Sequence, residues 1–225
     1  NWQDSASYRD TSWSGSGTSG SPYLITSAQE LAGLAYMVNS GNRYFGRYFR
    51  QTVNIDLSAH YWTPIGNDSN DFAGNYDGSG YTISDLYTQA SNNYQGLFGY
   101  ISGSSSVTAT IKNVIITDSL IQGNQYVGGI LGSGGIFSLV THCHNNGIVQ
   151  GTRYVGGIVG YNTLTVDYCY NTGNITGKSH VGGISGENSN GSTRYCYNNA
   201  NINGNDYVGA VSYTHLRAHE TLSDV

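Results

Sequence analysis

Three cysteines return in step along this chain, each between two rings: His142-Cys143-His144, Tyr168-Cys169-Tyr170 and Tyr195-Cys196-Tyr197. Cysteine beside histidine is the raw material of metal sites and of thiol chemistry, so those are the first chemistries to weigh. Neighbours in an extended chain point to opposite faces. The three sulfurs therefore share one face and the flanking rings share the other. Free cysteine packs as a small apolar side chain and belongs inside, which turns the rings outward. Layers about 4.8 Å apart permit the Cα separation of a disulfide but align the Cβ vectors poorly. Stacked free thiols are the expectation, with an interlayer bridge or metal ligation as alternatives. Carbohydrate chemistry would need clustered carboxylates, or calcium-binding acids beside a Lys or Arg. Asp167, Glu187 and Asp206 share no repeat position, and Asp56, Asp77 and Asp85 read as turn or strand-end residues. Asp77-Gly-Ser-Gly80 lacks the spaced acids of a calcium loop. No catalytic residue, metal or cofactor is expected.

These residues must be held by something periodic. One phrase recurs as Tyr126-Val-Gly-Gly-Ile-Leu-Gly132, Tyr154-Val-Gly-Gly-Ile-Val-Gly160, His180-Val-Gly-Gly-Ile-Ser-Gly186 and Tyr207-Val-Gly-Ala-Val211, with starts 28, 26 and 27 residues apart. The cysteine phrase keeps the same step. Two phrases locked in one period make each unit a coil of a stack that touches only its neighbours. Val127, Val155, Val181 and Val208 form one apolar column, and Ile130, Ile158, Ile184 and Val211 another. The paired glycines let the chain turn sharply or let layers approach closely. Asn145, Asn171 and Asn198 fall on the cysteines' face, where amides in register can hydrogen-bond along the axis as a structural ladder.

The 225 residues are rich in glycine (32) and tyrosine (20), with a net charge of −5 and nine Lys plus Arg. That balance offers no basic surface for nucleic acid, and no apolar run is long enough for membrane insertion. Asn1-Trp2-Gln3-Asp4 has neither the basic nor the apolar part of a signal peptide, as expected of a mature secreted product or an expressed fragment. Residues 1–22 read as a Ser/Gly-rich irregular lead-in, and residues 23–92 as an N-terminal cap with the first irregular coils. Residues 93–211 read as the regular repeats. Ser27-Ala-Gln-Glu30 is a capping box, followed by Leu31, Leu34, Ala35 and Val38 at helical spacing and by Gly41 as a stop. A helix there would cover the open end of a β-stack. Thr52–Leu57 and Tyr81–Leu86 read as short β-like segments, and Gly96–Gly99 with Ile111–Ile116 as an early, irregular version of the repeat.

The recurring Val-Gly-Gly-Ile-x-Gly resembles the GLUG repeat of bacterial surface adhesins, also found beside immunoglobulin A-specific metallopeptidase domains. Upstream, Glu30–Asn39, Trp62-Thr-Pro-Ile-Gly66, Phe72–Gly78 and Gly96-Leu-Phe-Gly99 resemble the segment that commonly precedes such repeats. The resemblance implies an all-β, right-handed parallel β-helix of about 27 residues per coil, N-terminally capped by an α-helix, and a location outside the cell or on the bacterial surface. It implies no catalysis, and no His-Glu-x-x-His occurs. Residues 212–225 depart from it and are similar to translated sequencing-adapter read-through at the ends of metagenomic reading frames, the expectation for a non-native tail. His215 and His219 in that tail could mimic a helical metal pair.

The outward rings Tyr168, Tyr170, Tyr195 and Tyr197, with Tyr126, Tyr154 and Tyr207 at a further position, are the candidate contact residues for a glycan or protein on a host or cell surface. Adhesion or display without chemistry is the function expected. The alternatives are a polysaccharide lyase or glycoside hydrolase, told apart by converging carboxylates, and a structural stalk that associates end to end through its last coil.

Overall fold

The computed structural model describes residues 1–214. Its strands stack in parallel into a solenoid. The longest sheet runs through seven strands in chain order: Tyr23–Ile25, Tyr48–Gln51, Asn75–Asp77, Ala109–Lys112, Ser138–Thr141, Thr165–Asp167 and Ser192–Arg194. Its inward column reads Phe49, Tyr76, Ile111, Val140, Val166, Thr193. The expected parallel β-solenoid with one N-terminal helix is the fold observed. In the later coils consecutive layers are 26 or 27 residues apart, as Leu139 beside Thr165 and Thr165 beside Ser192 show.

The helix, Ala28–Asn39, begins where the capping box places it: Ser27 Oγ accepts from the Glu30 N–H at 3.2 Å. The Glu30 carboxylate reaches one residue further back than a capping box requires, to the Thr26 N–H and hydroxyl. Leu31, Leu34, Ala35 and Val38 are fully buried, and Gly41 stops the helix at φ +103°. The lead-in also packs. Trp2 lies in the core with its indole N–H on the Leu57 carbonyl at 3.2 Å, and Asp10 crosses the helix so closely that a Cβ on Gly33 would sit 1.8 Å from its carbonyl oxygen.

One expectation about strands needs correction. Thr52–Leu57 is not one strand, since Tyr48–Gln51 ends before it and Ile55–Asp56 starts within it. Ile111–Ile116 is likewise divided, between Ala109–Lys112 and Ile115–Thr117. The break falls at Asn113, whose φ of +55° turns the chain through a corner. A left-handed corner residue inside an apolar run leaves the sequence pattern strand-like while bending the backbone.

At the far end, Ser212–Thr214 still adds a strand beside Ser185–Asn188, with a register shift between Ser185 and Glu187. The regular strands therefore run three residues past the boundary at 211. The readings made for His215, His219 and the rest of the tail lie outside the described residues. Among the described residues, no helix is long and apolar enough to cross a membrane.

Candidate functional site

The rings beside the cysteines stand on two outer columns. One is a corner column: Asn113, His142, Tyr168 and Tyr195 all hold positive φ, at 55°, 53°, 49° and 52°. Placing a side chain there costs about 1–2 kcal/mol per residue. Stacking offsets much of it: His142–Tyr168 and Tyr168–Tyr195 lie 5.0 and 4.8 Å apart, within 22° and 15° of parallel. Such pairs contribute about 0.5–1.5 kcal/mol each. The second column, on the other side of each cysteine, stacks His144 on Tyr170 at 3.9 Å and Tyr170 on Tyr197 at 5.1 Å. Thr172 Oγ1 meets His144 Nε2 at 2.8 Å, and burial lowers the His144 pKa. Beside the corner column runs a charged one, Arg50, Asp77, Lys112, Thr141, Asp167, Arg194, with Lys112–Asp77 at 3.4 Å and Arg194–Asp167 at 3.2 Å.

Tyr168, Tyr195 and Tyr197 are 49%, 71% and 56% exposed, and Tyr170 is half-buried. The use expected of them changes, however. Rings stacked face to face along the axis spend their faces on one another, so between layers they offer solvent their edges and hydroxyls. A sugar ring cannot slide between them.

The third set is corrected more strongly. Tyr94, Tyr126, Tyr154, His180 and Tyr207 form one left-handed column, with φ between 55° and 60°. It is not an open face. Tyr154 is only 8% exposed and His180 7%, while Tyr207 remains exposed. Tyr161, from the neighbouring column, meets Tyr126 and Tyr154 edge-on at 5.8 and 5.1 Å, and the Arg153 guanidinium lies 4.3 Å above the Tyr154 ring. The position of Tyr161, seven residues after Tyr154 on the adjoining sheet, carried no signal in the repeat.

This column brings together one set with catalytic residue types. Ser179 Oγ lies 2.7 Å from His180 Nδ1, and His180 Nε2 lies 3.5 Å from Glu187 Oε2. A hydroxyl, an imidazole and a carboxylate are the parts of a hydrolytic triad. The same hydroxyl–imidazole contact recurs at Thr141–His142, at 2.8 Å, where among the described residues no carboxylate pairs with the imidazole. A hydroxyl residue preceding a left-handed histidine produces the contact locally, which removes its diagnostic value. Among the described residues no three His, Cys, Asp or Glu side chains converge as metal ligands. Asp56 and Asp77 bind the backbone N–H two residues on, each at 2.8 Å, as turn formers do. Burial pushes the Asp77 pKa up, but Asn113, the Ser79 N–H and Lys112 together bring it below the ordinary value.

Inside, the sulfurs and amides form ladders. Cys143, Cys169 and Cys196 are free thiols, and the Cys143 and Cys169 N–H groups donate to the sulfur one layer on, each at 3.4 Å. Hydrogen bonding to Cys143, partly offset by that to Cys196 and reinforced by burial, raises the Cys169 pKa well above the thiol range. Such sulfurs are poor nucleophiles. Val114 stands one layer below Cys143, so the thiols continue an apolar column. The amide ladder does likewise: Ile55, Ile83 and Ile116 precede Asn145, Asn171 and Asn198 in register. Asn145 Nδ2 donates to Asn171 Oδ1 at 2.8 Å, and Asn171 Nδ2 to Asn198 Oδ1 at 2.7 Å. Each amide nitrogen also donates to the carbonyl two residues on, at 2.9, 2.7 and 2.9 Å.

The coil holding Tyr154, Cys169 and Asn171 decides the relationship, because the GLUG motif family matches residues 151–176. A GLUG motif stands at residues 151–176. The coils on either side of the matched GLUG coil repeat its phrases in register. A Gly-rich membrane protein of Evansella cellulosilytica, so described provisionally, is 32% identical over 114 residues, which are 48% of this chain and 12% of that protein. Halomucin of Haloquadratum walsbyi is 34% identical over 131 residues, 54% of this chain and 1% of halomucin. The chain thus spans a small part of the length of these relatives. Among solved structures, a provisionally assigned immunoglobulin A1 protease from Bacteroides ovatus superposes with a TM-score of 0.71 at 22% identity, over 91% of this chain and 65% of that one. That likeness shows the fold alone.

Proposed function

We propose that this GLUG solenoid is a non-catalytic, surface-associated rod used for adhesion or display. The observation that carries the reading is the division of labour within each coil. Cys169 and Asn171 face inward and bind their counterparts in adjacent coils, while Tyr168 and Tyr170 face outward on either side. Inward polar groups are spent on stacking, so what varies outside is a regular face of ring edges and hydroxyls. The two curated relatives, by name a membrane protein and a halomucin, support the surface location. The face suits a protein or glycan surface that accepts hydrogen bonds in rows.

The test uses a substitution that the chain already tolerates. Asn113 occupies the left-handed corner position of Tyr168 and Tyr195, so replacing both tyrosines with asparagine removes the rings without straining the corner. In the full chain, Tyr168→Asn/Tyr195→Asn should lower retention on protein- and glycan-coated surfaces severalfold while the thermal midpoint falls by only a few degrees. Retention unchanged in the double variant would leave a stalk, with the rings serving stability alone.

A further inference from the structure

A cleft of about 180 Å³ opens where the end of the helix, the turn at residues 62–67 and the loop at residues 89–95 meet. Thr63, Asn67, Gln89, Asn92, Tyr94 and Gln95 are among the residues that line it, and no Asp, Glu, Lys or Arg does. Amides and hydroxyls each donate and accept, as the hydroxyls of a sugar do. Asn1 lines the cleft as well, and its α-ammonium is already paired with Asp4 at 2.7 Å, so the groups left to meet a ligand are neutral side chains.

Two further observations point at a ligand. Tyr94 is the first ring of the buried aromatic column. Tyr126 stacks on one of its faces at 4.7 Å and Tyr100 meets it nearly perpendicular at 5.9 Å. Among the described residues no ring stacks on the opposite face. Ile65 pairs with Phe98, so residues 62–67 form the layer before Tyr94, and Trp62, Thr63, Pro64, Gly66 and Asn67 of that layer line the cleft together with Tyr94. The second observation is Gln95. It is 3% exposed and its Nε2 donates to the Asn93 carbonyl at 2.8 Å, yet no protein donor reaches its buried Oε1. A buried acceptor without a partner is uncommon.

We propose that this cleft binds one neutral saccharide residue, its ring stacked on the free face of Tyr94 and its hydroxyls bonded to the surrounding amides. The site is independent of the outer Tyr168–Tyr197 face and does not rest on the adhesion reading.

The test is calorimetric titration of the full chain with neutral hexoses, N-acetylhexosamines and their short oligomers, with hexuronic acids as charged counterparts. A neutral sugar should bind in preference to its uronic acid. Tyr94→Ala should weaken it about tenfold, the scale of one lost ring contact. Tyr94→Phe, which keeps the ring face, should bind as the parent does, and so should Tyr168→Asn/Tyr195→Asn. Gln89→Ala/Asn92→Ala, in an exposed loop, should weaken binding without unfolding and carries the test should Tyr94→Ala not fold. No neutral sugar bound, a preference for the uronic acid, or an affinity untouched by Gln89→Ala/Asn92→Ala would overturn the proposal.

Discussion

Asn171→Ala should destabilise the chain by about 3–5 kcal/mol, read as a fall in the denaturant midpoint. Asn171 is the middle rung of the amide ladder, fully buried, and its side chain accepts from Asn145 and donates to both Asn198 and the Gly173 carbonyl. Alanine removes all three bonds. It also strands one N–H of Asn145 and the Oδ1 of Asn198. Each buried group left without a partner costs about 1–3 kcal/mol, more than the bond contributed when made. Asn199, one position from the ladder residue Asn198, is exposed, and Asn199→Ala should change stability by less than about 0.5 kcal/mol. Equal effects at the two sites would show that the ladder has no special role.

Gly157→Ala should be at least as damaging, by about 3–5 kcal/mol or by failure to fold. A Cβ there would sit 2.3 Å from the Gly183 carbonyl oxygen in the next layer and 2.4 Å from Asn171 Cγ. Neither can retreat. The first is backbone in a ladder, and the second is an amide held by bonds on both sides. Gly20, with open space around the place of its Cβ, gives the contrast, and Gly20→Ala should be nearly neutral. Thermal midpoints of the two variants check the pair. A Gly157→Ala protein melting with the parent would mean that the layers are not in close contact at the second glycine.

Asn171 and Gly157 belong to one feature of the sequence. Where the second glycine of the repeat stands, as at Gly129, Gly157 and Gly183, asparagine stands against it, at Asn145, Asn171 and Asn198. In the coil before, the phrase is one residue shorter, since Gln95 pairs with Val127 but Phe98 with Leu131, and Ile116 holds the asparagine position. Period, columns and cap were therefore readable from residue types, since burial and register act on every coil alike. The face of each ring was not. Alternation put Tyr168 and Tyr170 opposite Cys169 correctly, yet Tyr168 faces outward because it turns a left-handed corner, and φ leaves no mark on a tyrosine. Tyr154 looked equivalent to Tyr168 and is buried, because Tyr161 comes from a neighbouring column, Tyr100, Ser133, Tyr161, Glu187, whose residue changes from each coil to the next. Tyr94 lies outside the regular phrase, so its free ring face could be found only from the stack.

Coils that hold and display without chemistry of their own should turn nothing over. The measurement that tests this most directly is a turnover assay, in which the full chain is incubated with immunoglobulin A1 and a panel of polysaccharides and the products are read by mass spectrometry. No product above the substrate-only control is the predicted result. Turnover that is present in the parent and lost in His180→Gln, with the fold intact, would contradict the claim and make Ser179, His180 and Glu187 an active site.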